Sequence, residues 1–370
     1  MRTMRRAFHG RRTLFVFISL VTLRCVMAQQ PSSTRTPSPI IHGSFQLPEI
    51  SAAGFVGNRL LVAADDPEKK HGYHVIDCFT EALGRVTAGG SIAATIEEQI
   101  YRYILLLLQG RDTGEPDPGR IKDLEDMAVA PTGDVYLITS HSRNKNNEEI
   151  PERRQLLRVR FDSGSTKPAS SSISSVPLIP RLPKELQEAA TRRPGARDAQ
   201  GHYTPGLNIE GLAWAPENDL LIGLRSPLIE SKAVVLRVKN ISAMFDRPTD
   251  PAATAPITIE ATLDLRGMGI RGMCYDEKEK GYWIIAGIAP DPDEPDDHLR
   301  NDWTLWFWDS NRKLRRRFNN SDLPQNVRLY NPEAVCVVGR NDADYSLLLI
   351  SDDDKNTPSS YVLVSSSELK

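Results

Sequence analysis

The chain has 370 residues, 40% of them hydrophobic and 25% charged, with a net charge of −2. Six arginines and no acidic residue fall within residues 1–28, so the remainder is more acidic than the whole, which argues against nucleic acid as a partner. Once Cys25 is set aside with that segment, Cys78, Cys274 and Cys336 remain, and an odd number gives no disulfide framework.

Residues 1–28 combine a basic start, an apolar run from Leu14 to Leu23 and a small-residue site at Val26-Met27-Ala28. This predicts a cleaved signal peptide and export to the periplasm or the exterior, with Arg5-Arg6 and Arg11-Arg12 leaving both the general and the twin-arginine route open. The apolar run is short for a bilayer span, so no membrane segment is expected after cleavage. Residues 29–39, rich in Ser, Thr, Pro and Gln, read as a flexible lead-in, and residues 40–370 as the folded domain.

That domain opens with a strand at Ile40 to Leu47 and then repeats one two-part unit. The clearest copy is Asn208-Ile209-Glu210-Gly211-Leu212-Ala213-Trp214 followed by Leu220 to Arg225. Other copies are Asp123 to Val129 with Tyr136 to His141, Asn331 to Val337 with Leu347 to Asp352, Gly269 to Tyr275 with Trp283 to Ile288, and Ser51 to Val56 with Leu60 to Asp65. Each half has strand length and β-rich composition, and the turns are rich in Pro, Gly, Asn and Asp, the signature of a β-hairpin. Further strands follow at Tyr73 to Cys78, Gln155 to Phe161, Ala233 to Val238, Ile257 to Leu263, Trp303 to Trp308 and Lys313 to Phe318. Residues 80–109 break the pattern and read as an insertion or a degenerate outer strand. Ser163 to Ser175 reads as a connection, Pro183 to Arg193 as a short helix with Pro at its start, and Pro290 to Asp297 as a solvated acidic loop.

Recurring hairpins that cannot bury both faces alone predict an all-β fold, a single β-propeller of five blades with room for a sixth. Tyr361 to Val364 leaves the last blade one strand short, so the N-terminal strand is expected to close it and remove two open edges. Cys274 and Cys336 occupy the repeat position of Ala128 and Ala213, which points to core packing for the thiols.

Aligning the units exposes two polar columns. The first reads Ala53, Glu125, Glu210, Arg271, Glu333 and opens the first strand; the second reads Asp65, His141, Arg225, Ile288, Asp352 and closes the second. A hairpin brings both to one edge of its sheet, hence to one mouth of the central axis. Carboxylates converging there repel unless a cation, a shared proton or an arginine intervenes. Glu125, Glu210 and Glu333, with Asp65 and Asp352, are therefore candidate ligands for a hard cation, Ca²⁺. His141, Arg225 and Arg271 are candidates to face a small anionic substrate or a glycan. The competing expectation is that each Glu braces neighbouring blades by accepting backbone N–H bonds, with His141 a hydrogen-bonded loop residue. No Gly-x-Ser-x-Gly, phosphate-cradling loop, His-Glu-x-x-His or Cys-x-x-Cys occurs.

At Asp123 to Arg143, Asn208 to Pro227, Arg271 to Gly287 and Asn331 to Asp354 the chain resembles a bacterial family, domain of unknown function 3616. That resemblance implies an exported propeller and carries no activity. A more distant likeness to phytase-like and lactonase-type propellers rests on the Glu-Gly strand starts, and Arg271 and Ala53 interrupt the acidic ring it implies. Two functions follow as expectations: a Ca²⁺-assisted hydrolase of an anionic ester, with His141 or an acid as base, or a non-catalytic propeller binding a glycan, small anion or protein. The sequence leaves the oligomeric state open.

Overall fold

The computed structural model describes residues 41–44, 49–56, 59–65, 73–76, 121–161, 168–247, 256–288, 302–325, 328–339, 345–352 and 359–365. The expected signal peptide, the lead-in, the segment 80–109 and the acidic loop 290–297 lie outside the described residues. Among those described, no helix is long and apolar enough to cross a membrane.

The chain is all-β in a propeller arrangement. Sheet one holds β2 (Ile50–Val56), β3 (Arg59–Ala64) and β4 (Tyr73–Ile76). Sheet two holds β5 (Leu124–Val129), β6 (Val135–Thr139), β7 (Leu156–Phe161) and β8 (Pro168–Val176), and sheet three β9 (Asn208–Ala215), β10 (Asp219–Ser226), β11 (Ala233–Val238) and β12 (Thr258–Leu263). Sheet four holds β13 (Gly269–Asp276), β14 (Gly281–Gly287), β15 (Trp303–Asp309) and β16 (Leu314–Asn319). In sheet five, β17 (Pro332–Gly339), β18 (Tyr345–Ser351) and β19 (Ser360–Ser365) are joined by β1 (Ile41–Ser44). β1 pairs antiparallel with β19, Ile41 opposite Leu363, so the N-terminal strand completes the last sheet. The Ser-rich stretch after Phe161 is no connection: its second half is β8, the outer strand of sheet two. Small side chains tolerate an outer strand, where little apolar surface is buried.

Turn chemistry sets the hairpins. Between β9 and β10 the residues Glu217 and Asn218 take φ of 73° and 65°, the left-handed backbone that a tight antiparallel turn needs. Between β13 and β14, the Asp276 side chain accepts from Lys278 and Glu279 N–H at 3.0 Å while its other oxygen takes the Trp283 indole N–H at 2.8 Å.

Period-two alternation sends successive residues to opposite faces. Ala52 packs toward sheet two with Met127 and Leu137, while Ala53 packs toward sheet five with Ala334 and Ile350. The same division places Tyr136 and Leu212 between sheets two and three, Leu221 and Trp306 between three and four, and Trp283 and Leu347 between four and five. Each sheet buries both faces against its neighbours, and the first strands touch in a closed cycle, β2 to β5 to β9 to β13 to β17 to β2. At about 1.5–3 kcal/mol for each fully buried Leu, Ile, Val or Phe, these faces hold the arrangement together. Cys274 and Cys336 lie in two of these packing layers, and burial pushes both thiols up, as expected of cysteines used for packing.

Among the described residues two α-helices decorate this frame, α1 (Lys184–Ala189) and α2 (Ile241–Asp246). α1 follows Pro183 as expected and packs Leu186 and Ala189 into the layer between sheets two and three.

Candidate functional site: the acidic mouth

The pairing of the first two strands skips one residue in every sheet. The skipped residues are Ser51, Glu125, Glu210, Arg271 and Glu333. A bulge re-aims the side chain it carries, and this one does so at the same strand end in each sheet. The structural column therefore contains Ser51 where the sequence alignment has Ala53, a slip of two residues; the Ser51 hydroxyl donates to Leu124 O at 2.5 Å, reaching the next sheet. The second column, each residue following the partner of the one just before the bulge, is Asp65, Ser140, Arg225, Gly287 and Asp352. His141 and Ile288 thus sit one residue past it.

The two columns meet at a cavity of 740 Å³. Its acidic floor is Asp65, Asp123, Glu125, Glu210, Glu333 and Asp352, and Arg143, Lys145, Arg153 and Arg193 rise on one side. Arg193 comes from the excursion after α1, which Arg143 and Arg154 anchor through the Ala190 carbonyl at 3.2 and 3.0 Å.

The floor divides in two. Glu210 accepts from Arg225 Nη1 at 2.6 Å and Asn208 Nδ2 at 2.9 Å, and lies 3.6 Å from Arg271 Nε. Glu333 accepts from Arg271 Nη2 and from Asn331 Nδ2, the latter at 3.1 Å. Arg225 lines the cavity, whereas Arg271, 7% exposed, is spent beneath it on the two glutamates. Burial holds the Glu333 pKa above the ordinary carboxylate value even though Arg271 opposes the shift.

On the other side, Asp65, Asp123 and Glu125 each present a carboxylate oxygen, and these lie within 4.8 Å of one another. Asp123 is held by Ser140, by Ser142 at 3.2 Å and by Arg153 at 3.1 Å. Among the described residues neither Asp65 nor Glu125 has a cationic partner, and Asp65 Oδ1 is buried without a donor. Burial, then the neighbouring Asp123, raises the Asp65 pKa well above its usual value; burial, then Glu210 and Asp123, does the same for Glu125. This is the arrangement in which a proton or a cation is held.

His141 does not reach the cavity. It is fully buried at φ 57°, its Nδ1–H donating to Thr139 O at 2.7 Å while Nε2 has no partner among the described residues. Burial, aided by Arg154, pushes its pKa down to about 4, so the ring is neutral and positions the turn that carries Ser140 and Ser142.

The bracing expected of the glutamates falls instead to Asp126, which the sequence reading passed over. Its Oδ2 accepts from Leu212 N–H at 2.7 Å and Met273 N–H at 3.2 Å, tying sheet two to sheets three and four, and Oδ1 accepts from Met127 N–H at 2.8 Å. Burial outweighs these bonds and raises its pKa. A signal was present: the same repeat position holds Ala52, Gly211, Gly272 and Ala334, small residues that leave room for one carboxylate to cross.

No curated protein matches this sequence. Solved structures with similar backbones share little sequence. A protein of unknown function from Bacteroides thetaiotaomicron is 11% identical with a TM-score of 0.37, over 82% of this chain and 53% of its own, so this chain spans about half of its length. The PQQ-bound aldose sugar dehydrogenase of Streptomyces coelicolor is 14% identical with a TM-score of 0.37, over 89% and 99%. The β-propeller domain of Myceliophteria thermophila Cps50 (Swd1) is 10% identical with a TM-score of 0.39, over 88% and 99%. The fold assignment rests on the sheets themselves. The sequence resemblance noted at the repeats is matched by a family profile from sheet three onward: residues 203–361, which carry sheets three and four and strands β17 and β18 of sheet five, match the family described as Protein of unknown function (DUF3616), and Asp123 to Arg143 lies outside that match.

Proposed function

We propose that the five sheets are the five blades of one exported propeller and that its mouth is a divalent-cation site at which an anionic ester is hydrolysed. The observation that carries this is the Asp65–Asp123–Glu125 cluster, three oxygens within 4.8 Å and two of the carboxylates without a cationic partner among the described residues. Oxygen donors of this kind suit Ca²⁺. Glu210, Glu333 and Asp352 stand at the edge of the cluster and are spectators or outer ligands, the first two being committed to Arg225 and Arg271.

A bound cation would polarise the ester oxygen and acidify a water. Lys145 and Arg193 on the rim would receive the anionic group, a task for which charge at the cavity wall is suited. The proton of the attacking water would pass to a carboxylate of the mouth that does not hold the cation. His141, closed off from the cavity, is not assigned that role.

The test combines calcium titration of the chelated full chain with turnover on aryl phosphates and lactones, in the native protein and in Glu125→Gln. Stoichiometric calcium and turnover lost in the variant would support the reading; turnover unaffected by chelation and by the variant would sink it. The sealed position of His141 favours one second reading, a cation-dependent binding protein without turnover. Calorimetry showing calcium-dependent ligand binding with no product formed would select it.

A further inference from the structure

A second cavity, of 840 Å³, lies on sheet four and shares no lining residue with the mouth. Register places it at the same end of the sheet: Gly269 lies opposite Gly287 and Gly287 opposite Trp303, while Thr304 lies opposite Asn319. Three arginines converge on it from three segments, Arg266 from the loop before β13, Arg316 from β16 and Arg328 from the approach to β17. Among the described residues none of the three guanidiniums is in an ion pair, and Asp302 is the one acidic side chain in the lining. This contrasts with Arg225, Arg271 and Arg237, each of which is held by carboxylates.

The chemistry of the remaining wall is that of a polar ring. Asn319, Ser321 and Gln325 supply hydroxyl and amide groups, and Tyr330, 59% exposed, stands at the edge. A single exposed aromatic is ordinary on a protein surface. At the rim of a cavity with three unpaired guanidiniums it offers a flat apolar face beside anion receptors.

We propose that this cavity binds an acidic oligosaccharide. Its carboxylate or sulfate groups would be received in pairs of N–H donors by Arg266, Arg316 and Arg328. A sugar ring would lie on Tyr330, with hydroxyls meeting Asn319 and Gln325. The mouth requires a cation for its anionic ligand; this site carries its positive charge in the chain itself and needs none.

The test is fluorescence-detected binding to the full chain of a galacturonate hexamer, its methyl-esterified neutral form, a sulfated hexasaccharide and inorganic sulfate, with chelator present. The expected result is binding of the galacturonate or the sulfated hexamer, the two arms distinguishing carboxylate from sulfate. The neutral ester should bind about tenfold or more weakly, and Arg328→Gln and Tyr330→Ala should each weaken binding about tenfold. Both side chains are exposed, so unchanged melting of the variants shows that the fold is intact. Arg315→Gln, the neighbouring exposed arginine outside the cavity, should bind as the native chain does. Equal binding of the neutral ester, undiminished binding by both cavity variants, no binding by either acidic hexamer, or inorganic sulfate matching the hexamer would each overturn the proposal.

Discussion

The two halves of the mouth receive carboxylates from the same repeat and treat them in opposite ways. On sheets three to five, Glu210 and Glu333 are locked by Arg225 and Arg271. On sheets one and two, Asp65 and Glu125 gather with Asp123, and among the described residues Arg153 pairs with Asp123 alone of the three. Two arginines decide the difference. Arg225 from the second column and Arg271 from the first turn Glu210 and Glu333 into scaffold; Asp65 and Glu125 have no such partner among the described residues, which is what makes them candidate ligands.

The largest expected effect breaks the paired half. Arg271→Ala leaves Glu333 buried without its arginine and takes one of the two arginines from Glu210, and removing one partner of such a pair costs about 3–5 kcal/mol. Denaturant unfolding reads this directly, and a loss below about 1 kcal/mol would show that the pairs are not structural. Adding Glu333→Gln to that variant should recover part of the loss.

The unpaired half is expected to respond with the opposite sign. In chelator, Glu125→Gln relieves like-charge repulsion and should raise stability by about 1 kcal/mol, while abolishing any calcium-induced shift in melting temperature. The pH dependence follows from the raised folded pKa values of Asp65 and Glu125. At a pH between the ordinary carboxylate value and the raised one, the folded protein holds protons that the unfolded chain has released. Stability from these groups is therefore greatest on the acid side and falls as pH rises through the folded values. Melting curves from about pH 4.5 to 8 should show that fall in chelator, a shallower one in Glu125→Gln, and its removal by saturating calcium. A native slope identical to that of the variant would remove Glu125 from the account.

The smallest effect on stability sharpens the comparison at the rim. Lys145→Gln, at an exposed position, should change stability by no more than about 0.5 kcal/mol. It should nonetheless lower affinity for an anionic ligand at the mouth several-fold and flatten its salt dependence. Unchanged affinity would place the anion elsewhere in the cavity.

Much of the frame was legible in the residues. Hairpins at Glu125, Glu210, Arg271 and Glu333, the small-residue position of Cys274 and Cys336, and an N-terminal strand beside Tyr361 to Val364 all follow from periodicity and turn chemistry. Exact register in the weakest copy was not legible. Ser51-Ala52-Ala53-Gly54 has no large residue to fix its phase, so the alignment slipped to Ala53, and the bulge at Ser51 is visible only in the pairing of Ile50 with Ala64 and Ala52 with Ala63. His141 stands one residue too far along, since Ser140 rather than the histidine follows the last paired residue, Thr139, and the end of pairing is not a local property of the strand.

The sequence by itself determined that this chain builds repeated hairpins with polar residues at one end, because strand period, turn residues and the order of acids are local properties. Only the tertiary structure decided which acids are used up. Partner choice depends on approach between sheets: Arg271 reaches Glu333 from 62 positions away, and Asp126 reaches Met273 from 147. Those distances close only when the first strands form their ring, and burial there turns equal carboxylates into braces on one side and a candidate cation site on the other.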